Sequence, residues 1–157
     1  MKVWTRIMFA AILLASIAAS AQATTKPVDA KAAVKASMKK IWETWSTKDV
    51  KAVSAFYAKD VDAVFFDVAP LKYKSWAEYE KGVQNILTQY KTIMLSLNDD
   101  AQVHMSGSTA WGTATISADF VDKDSKSTKS QIRWTVIWQK RGGKWLVVHE
   151  HVSEPLP

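Results

Sequence analysis

SQIRWTVIWQKRGGKWLVVHEHVS, residues 130–153, holds two β-rich runs around one turn. Ser130 to Lys140 and Trp145 to Ser153 are rich in β-branched and aromatic residues. Between them, Gly142 and Gly143 permit the positive φ angles of a tight hairpin. A two-residue turn pairs Arg141 with Lys144. An unbroken register then sets Val136 opposite His149 and Trp134 opposite His151, with Arg133, Thr135 and Glu150 on the other face. The two histidines and Arg133 therefore cannot all face one side of the sheet unless a bulge intervenes. Which face is inward stays open.

Working back from the hairpin, Asp122 to Lys129 is a polar loop and Thr109 to Asp122 alternates small and β-branched residues, as a long strand does. Thr92 to His104 is a strand broken by Asn98-Asp99-Asp100. Before it the period changes. Tyr79, Val83, Ile86, Leu87 and Tyr90 form one helical stripe over Trp76 to Tyr90, opened by a Ser75/Glu78 capping box. Ala63 to Phe66 is a short apolar strand after a turn at Asp60-Val61-Asp62, and Asp67 ends it. Asp49 caps a short helix over Val50 to Tyr57. Val34, Met38, Ile41, Trp42 and Trp45 share one face of a helix that begins near Val28 and stops near Ser46-Thr47. Helices first and antiparallel strands after make an α+β domain, with the helices on one side of a curved sheet. The last four strands have no crossover helices between them, which argues against a parallel sheet.

The amino terminus does not belong to this domain. Lys2 and Arg6 precede an apolar run, Ile7 to Ala19, and Ala21-Gln22-Ala23 supplies a small-x-small cleavage pattern. Residues 1–23 read as a signal peptide with cleavage after Ala23, too short for a membrane span, which places the protein in the periplasm or outside the cell. Residues 24–29 are a flexible leader and 30–155 the domain. Loss of Lys2 and Arg6 takes the net charge from +6 to +4. The lysines are scattered, so neither a nucleic-acid surface nor a membrane span after cleavage is expected. With no cysteine among 157 residues, disulfides and thiol chemistry are excluded.

Three stretches together resemble the SnoaL-like branch of the nuclear transport factor 2-like superfamily. They are Trp45 to Val53 with its W-x-x-x-D-hydrophobic junction, Val64-Phe65-Phe66-Asp67 followed by the Trp76-Ala77-Glu78-Tyr79 helix, and Arg133 to Ser153. The resemblance spans about residues 30 to 155. It implies a cystatin-like cone, in which a curved antiparallel sheet wraps about three N-terminal helices around an apolar pocket, and a homodimer formed through the outer sheet face. Ketosteroid isomerases share this fold. Asp67 matches the position of their general base, but the expected oxyanion donors, a Tyr and a protonated Asp, fall near Ile41-Trp42 and Trp134-Thr135. Steroid isomerisation is therefore not supported.

The candidate site residues follow. Asp67 is a proton shuttle if it faces an apolar interior, and otherwise a strand-end turn former. Arg133 is the one Arg inside an expected strand, suited to clamp a ligand carboxylate or to pair with Asp67 or Glu150. His149 and His151 lie on one side of the last strand, where His149 could move protons and His151 bind ligand. As zinc ligands they would need His104, at no diagnostic spacing, so no metal or cofactor is expected. Trp42, Trp45 and Tyr79 would line a pocket for a flat apolar ligand. Two functions follow: an exported domain binding a small apolar or carboxylate-bearing ligand, or an isomerase or dehydratase using Asp67 or a histidine with Arg133 as anion clamp.

Overall fold

Three helix starts are fixed by side-chain caps. Asp29 Oδ1 accepts the Lys31 amide at 3.0 Å and opens α1, Ala30–Ser46. Asp49 Oδ1 accepts the Ala52 amide at 2.9 Å and opens α2, Val50–Val53. Ser75 Oγ accepts the Glu78 amide at 3.2 Å and opens α3, Trp76–Leu87. Glu78 reaches back to the Lys74 amide at 2.8 Å, one residue before the position a regular capping box uses.

The computed structural model describes residues 29–60 and 63–155. The expected signal peptide, the expected leader before Asp29, and Val61 and Asp62 of the expected turn lie outside them. No helix among the described residues is long and apolar enough to cross a membrane.

The short helix after Asp49 ends at Val53, continues as one 3-10 turn over Ser54–Phe56, and gives way to extended backbone at Tyr57. Helix α3 stops at Leu87, and Tyr90 begins a strand instead of ending the helix. The strands are β1 (Val64–Phe66), β2 (Tyr90–Leu97), β3 (Gln102–Ser106), β4 (Thr109–Asp122), β5 (Ser127–Arg141) and β6 (Lys144–Ser153). They form one open, curved sheet in the order β1-β6-β5-β4-β2, with β3 also on β4. Strands β2 and β3 are consecutive partners of β4, from Tyr90↔Asp122 to Ser106↔Thr109. The polar break between them is tied to β4: Asp100 accepts the amide and the hydroxyl of Thr115 at 3.0 and 2.9 Å.

β2 to β6 pair antiparallel, as expected, but β1 pairs parallel to β6. A parallel neighbour needs a long crossover, and the rest of the chain between β1 and β6 supplies it.

The hairpin turn is as expected: Gly142 and Gly143 have φ of 54° and 81°, and Arg141 pairs with Lys144. The unbroken register is not. Trp138 pairs with Val147 but Ile137 pairs with His149, which leaves Val148 as an extra residue. From there the pairs are Val136↔Glu150, Thr135↔His151, Trp134↔Val152 and Arg133↔Ser153. Trp134, Val136 and Trp138 are buried against the helices, so the bulge turns Glu150 inward. It puts His149, His151, Thr135 and Arg133 together on the outer face.

Tyr73 packs on Gly82 of α3, and its hydroxyl donates to the Ala69 carbonyl at 3.3 Å. A methyl group at Gly82 would overlap the Tyr73 ring. Helix propensity alone favours Ala by about 1 kcal/mol, whereas overpacking costs about 1–3 kcal/mol. Gly82→Ala should therefore destabilise the domain, seen as a lower urea midpoint. An unchanged or raised midpoint would show that Tyr73 moves aside freely.

Candidate functional site: a cavity beside a buried carboxylate

The space between helices and sheet divides in two. One half is packed with aromatic rings around Glu150. The other is a cavity of about 670 Å³.

In the packed half Glu150 is 1% exposed. Tyr79 Oη donates to its Oε1 at 2.5 Å and Trp134 Nε1 donates to its Oε2 at 2.9 Å. Tyr57 Oη lies 3.1 and 3.0 Å from the two oxygens, and itself accepts from Trp45 Nε1 at 3.3 Å. Among the described residues no cation pairs with Glu150. Burial pushes its carboxyl up to about 7; the hydrogen bonds from Tyr79, Trp134 and Tyr57 oppose the rise, and the charge of Asp67 adds to it. Burial, and then the charge of Glu150, raise both Tyr57 and Tyr79 well above the usual phenol value.

The cavity backs onto this cluster. Trp42 and Trp45 of α1 and Tyr79, Val83 and Leu87 of α3 line it, with Ile93 of β2, Phe120 of β4, Ile132 of β5 and Val152 of β6. Val68, Ala69 and Lys126 are exposed at its rim, and Asp67 and Asp122 also line it. Asp67 Oδ1 accepts the Val68 amide at 2.7 Å. Among the described residues Oδ2 has no partner, and no cation pairs with the carboxylate. Burial raises its pKa, opposed by the Val68 bond.

The sequence candidates are thus separated. Asp67, Trp42, Trp45 and Tyr79 lie on the cavity wall. Arg133, His149 and His151 do not. Arg133 is exposed on the outer face and donates from Nη2 to the Glu154 carbonyl at 2.7 Å. It is neither an anion clamp in the cavity nor a partner of Asp67 or Glu150. His149 Nδ1 contacts the Val64 carbonyl at 2.7 Å, as a donor. The Phe66 ring meets His149 and His151 edge-on, at 5.5 and 5.7 Å. Both histidines are removed from the cavity by the bulge at Val148. His104 stacks on Trp111 at 5.2 Å, and no metal-binding group of side chains occurs among the described residues.

Sequence reasoning missed Glu150 and its donor Tyr57. One signal was present. Val147 and Val152 are both apolar but five apart, so a regular strand puts them on opposite faces. A bulge between them buries both, and Glu150 with them.

Residues 34–157 match the family of the SnoaL-like domain. The chain belongs to that family. Among solved structures the fold recurs in a nuclear transport factor 2-like protein of unknown function from Pseudomonas putida, at 24% identity and a TM-score of 0.70 over 82% of this chain and 88% of that one. A nuclear transport factor 2-like superfamily protein from Salmonella enterica has 16% identity and a TM-score of 0.72, covering 82% and 95%. A CaMKII hub from S. rosetta has 22% identity and a TM-score of 0.64, covering 82% and 99%. At these identities the likeness is one of fold. No curated protein matches the chain.

Glu150 gives this SnoaL-like domain a testable pH signature. Its folded pKa lies above the unfolded value, so between pH 4.5 and about 7 the folded state binds more protons. Its contribution to stability is therefore fully present at low pH and is lost as pH rises through 7, by about 3 kcal/mol at most. In Glu150→Gln the amide nitrogen can donate to the Tyr57 and Tyr79 hydroxyls while its oxygen keeps the Trp134 bond. The stability difference between native protein and Glu150→Gln should shift by up to that amount across pH 4.5–7.5 in urea titrations, in favour of Gln at the alkaline end. A constant difference would place no titration at Glu150.

Proposed function

We propose that the protein is an exported SnoaL-like domain whose cavity binds a small, mainly apolar organic ligand. One observation carries this: about 670 Å³ of space walled by indole, phenol and aliphatic side chains, in an interior otherwise filled by side chains. Interiors pack densely, and a concave apolar site of this size falls in the range that holds small molecules. The polar groups are few and mostly at the rim, so apolar contact supplies affinity and Asp67 supplies direction.

A second reading is an enzyme of the isomerase or dehydratase kind. Its support is Asp67, a carboxyl on the cavity wall whose pKa burial raises above the ordinary carboxylate value. It has lost its other members, since His149 and Arg133 face outward, and the Tyr79 hydroxyl is engaged by Glu150. Binding therefore accounts for more of the geometry. Loss of turnover in Asp67→Ala, for a compound recovered from the cavity, would favour the enzyme.

A neutral apolar probe separates a usable cavity from a closed one. N-phenyl-1-naphthylamine should gain fluorescence on binding, and Ile86→Trp, which fills the cavity from α3, should weaken that binding at least tenfold. Absence of binding by the folded native protein would overturn the proposal. Export and self-association complete it. The mature protein recovered from its own cells should have the mass of a chain starting at Thr24. Light scattering should return twice the monomer mass, with the outer sheet face as the contact. A retained leader or a monomer at all concentrations would remove the corresponding part.

A further inference from the structure

The site on which this inference rests is the proposed ligand cavity, and its charge narrows the ligand. Among the described residues four charged side chains line it: Asp67, Asp122, Lys126 and Glu154. Lys126 is exposed on the β4–β5 hairpin. Asp122 closes that hairpin, its Oδ1 accepting the amides of Asp124 and Lys126 at 2.9 Å each. Glu154 is exposed and accepts the Ser130 hydroxyl at 2.6 Å. These three belong to the rim and its local bonding. Asp67 is different. It is half-buried, shares the wall with aromatic rings, and among the described residues has no partner for its Oδ2. Behind that wall stands a second carboxyl, Glu150, again with no paired cation among the described residues. The Arg that could have balanced them lies outside the sheet.

We infer that the cavity takes an organic ammonium: an apolar, preferably aromatic, body with one cationic amine placed against Asp67 Oδ2. Three features converge on it. The free carboxylate oxygen accepts a charge-assisted hydrogen bond from N⁺–H. Ring faces attract a cation, and Trp42, Trp45, Tyr79, Tyr90 and Phe120 line the cavity. A ligand carboxylate would meet the fields of Asp67 and Glu150 without a buried cation to receive it. The proposal reverses the ligand charge that Arg133 suggests when the sequence is taken alone.

The test compares three probes of one shape: 1-naphthylmethylamine, 1-naphthylmethanol and 1-naphthoic acid. Each is titrated calorimetrically into the full mature protein at pH 7.5 and low salt. The amine should bind at least tenfold more tightly than the alcohol, and the acid most weakly. In Asp67→Asn, checked for folding by circular dichroism, the ratio of amine to alcohol affinity should fall to about one. Equal affinities of amine and alcohol for native protein would overturn the ammonium assignment and leave the apolar cavity standing. So would an acid that binds as tightly as the amine, or a preference for amine that survives in Asp67→Asn. Failure of all three probes to bind folded protein would overturn the cavity proposal and this one with it.

Discussion

The interior of this domain depends on one residue more than a regular β6 needs. Val148 is left without a partner opposite the Ile137–Trp138 step, and the strand rotates so that Glu150 enters the core. A carboxylate taken from water without partners is prohibitively unstable. Here the groups that meet it are side-chain donors, two phenols and an indole. Hydrogen bonds to a charged acceptor contribute about 1.5–3 kcal/mol each, enough to keep the group buried but not to restore its ordinary acidity. The indole N–H can only donate, whereas the two hydroxyls can turn. The cluster therefore tolerates either protonation state, with Tyr57 or Tyr79 changing role. In return Glu150 fixes three elements at one point: the extended chain after the 3-10 turn through Tyr57, α3 through Tyr79, and β5 through Trp134.

The same side chains build the back wall of the cavity. Tyr79 gives its hydroxyl to Glu150 and lines the open half as well. Trp45 likewise lines the cavity while its Nε1 donates to Tyr57. Trp42, also on the wall, meets the Trp134 ring at 5.2 Å and 84°. The wall is thus held from behind by directional bonds. The rims are held more locally: Tyr73 ties Ala69 to the α3 side, and Asp122 ties its own hairpin. The cavity thus has one side preorganised by directional bonds and one held mainly by short-range contacts.

The legibility of these parts in the sequence differs for physical reasons. The apolar stripe of α1, the caps at Asp49 and Ser75, the long β4 and the Gly-Gly turn are local features, and local chemistry determines them. The boundary at Leu87 was less legible because Tyr90 fits the helical stripe as well as it fits a strand. Its pairing with Asp122 is a tertiary choice. Parallel pairing of β1 with β6 joins segments far apart in the chain, and no local pattern announces it. The site suffered most from parity. Trp42, Trp45 and Tyr79 follow from helical spacing, which a bulge cannot alter, while Asp67 at its strand end is compatible with either the wall or a turn. Arg133, His149, His151 and Glu150 depended on the register of one hairpin, and a single extra residue moved the whole set across the sheet.

That exchange decides the electrostatics. With an unbroken register, histidines would face the cavity from β6, and the protein could adapt to ligands of either sign. With the bulge, the ionisable groups at or behind the wall include Asp67, Glu150 and the phenols Tyr57 and Tyr79. The carboxylates raise their neighbours: Asp67 acts on Glu150, Tyr57 and Tyr79, and Glu150 on the two tyrosines, whereas the tyrosine hydrogen bonds lower Glu150. Such a set holds its protons more tightly than its members would alone. Anything that brings positive charge to Asp67 relieves this mutual repulsion and makes ionisation of Glu150 easier. The buried cluster and the cavity are then two ends of one charge balance, joined through the ring of Tyr79.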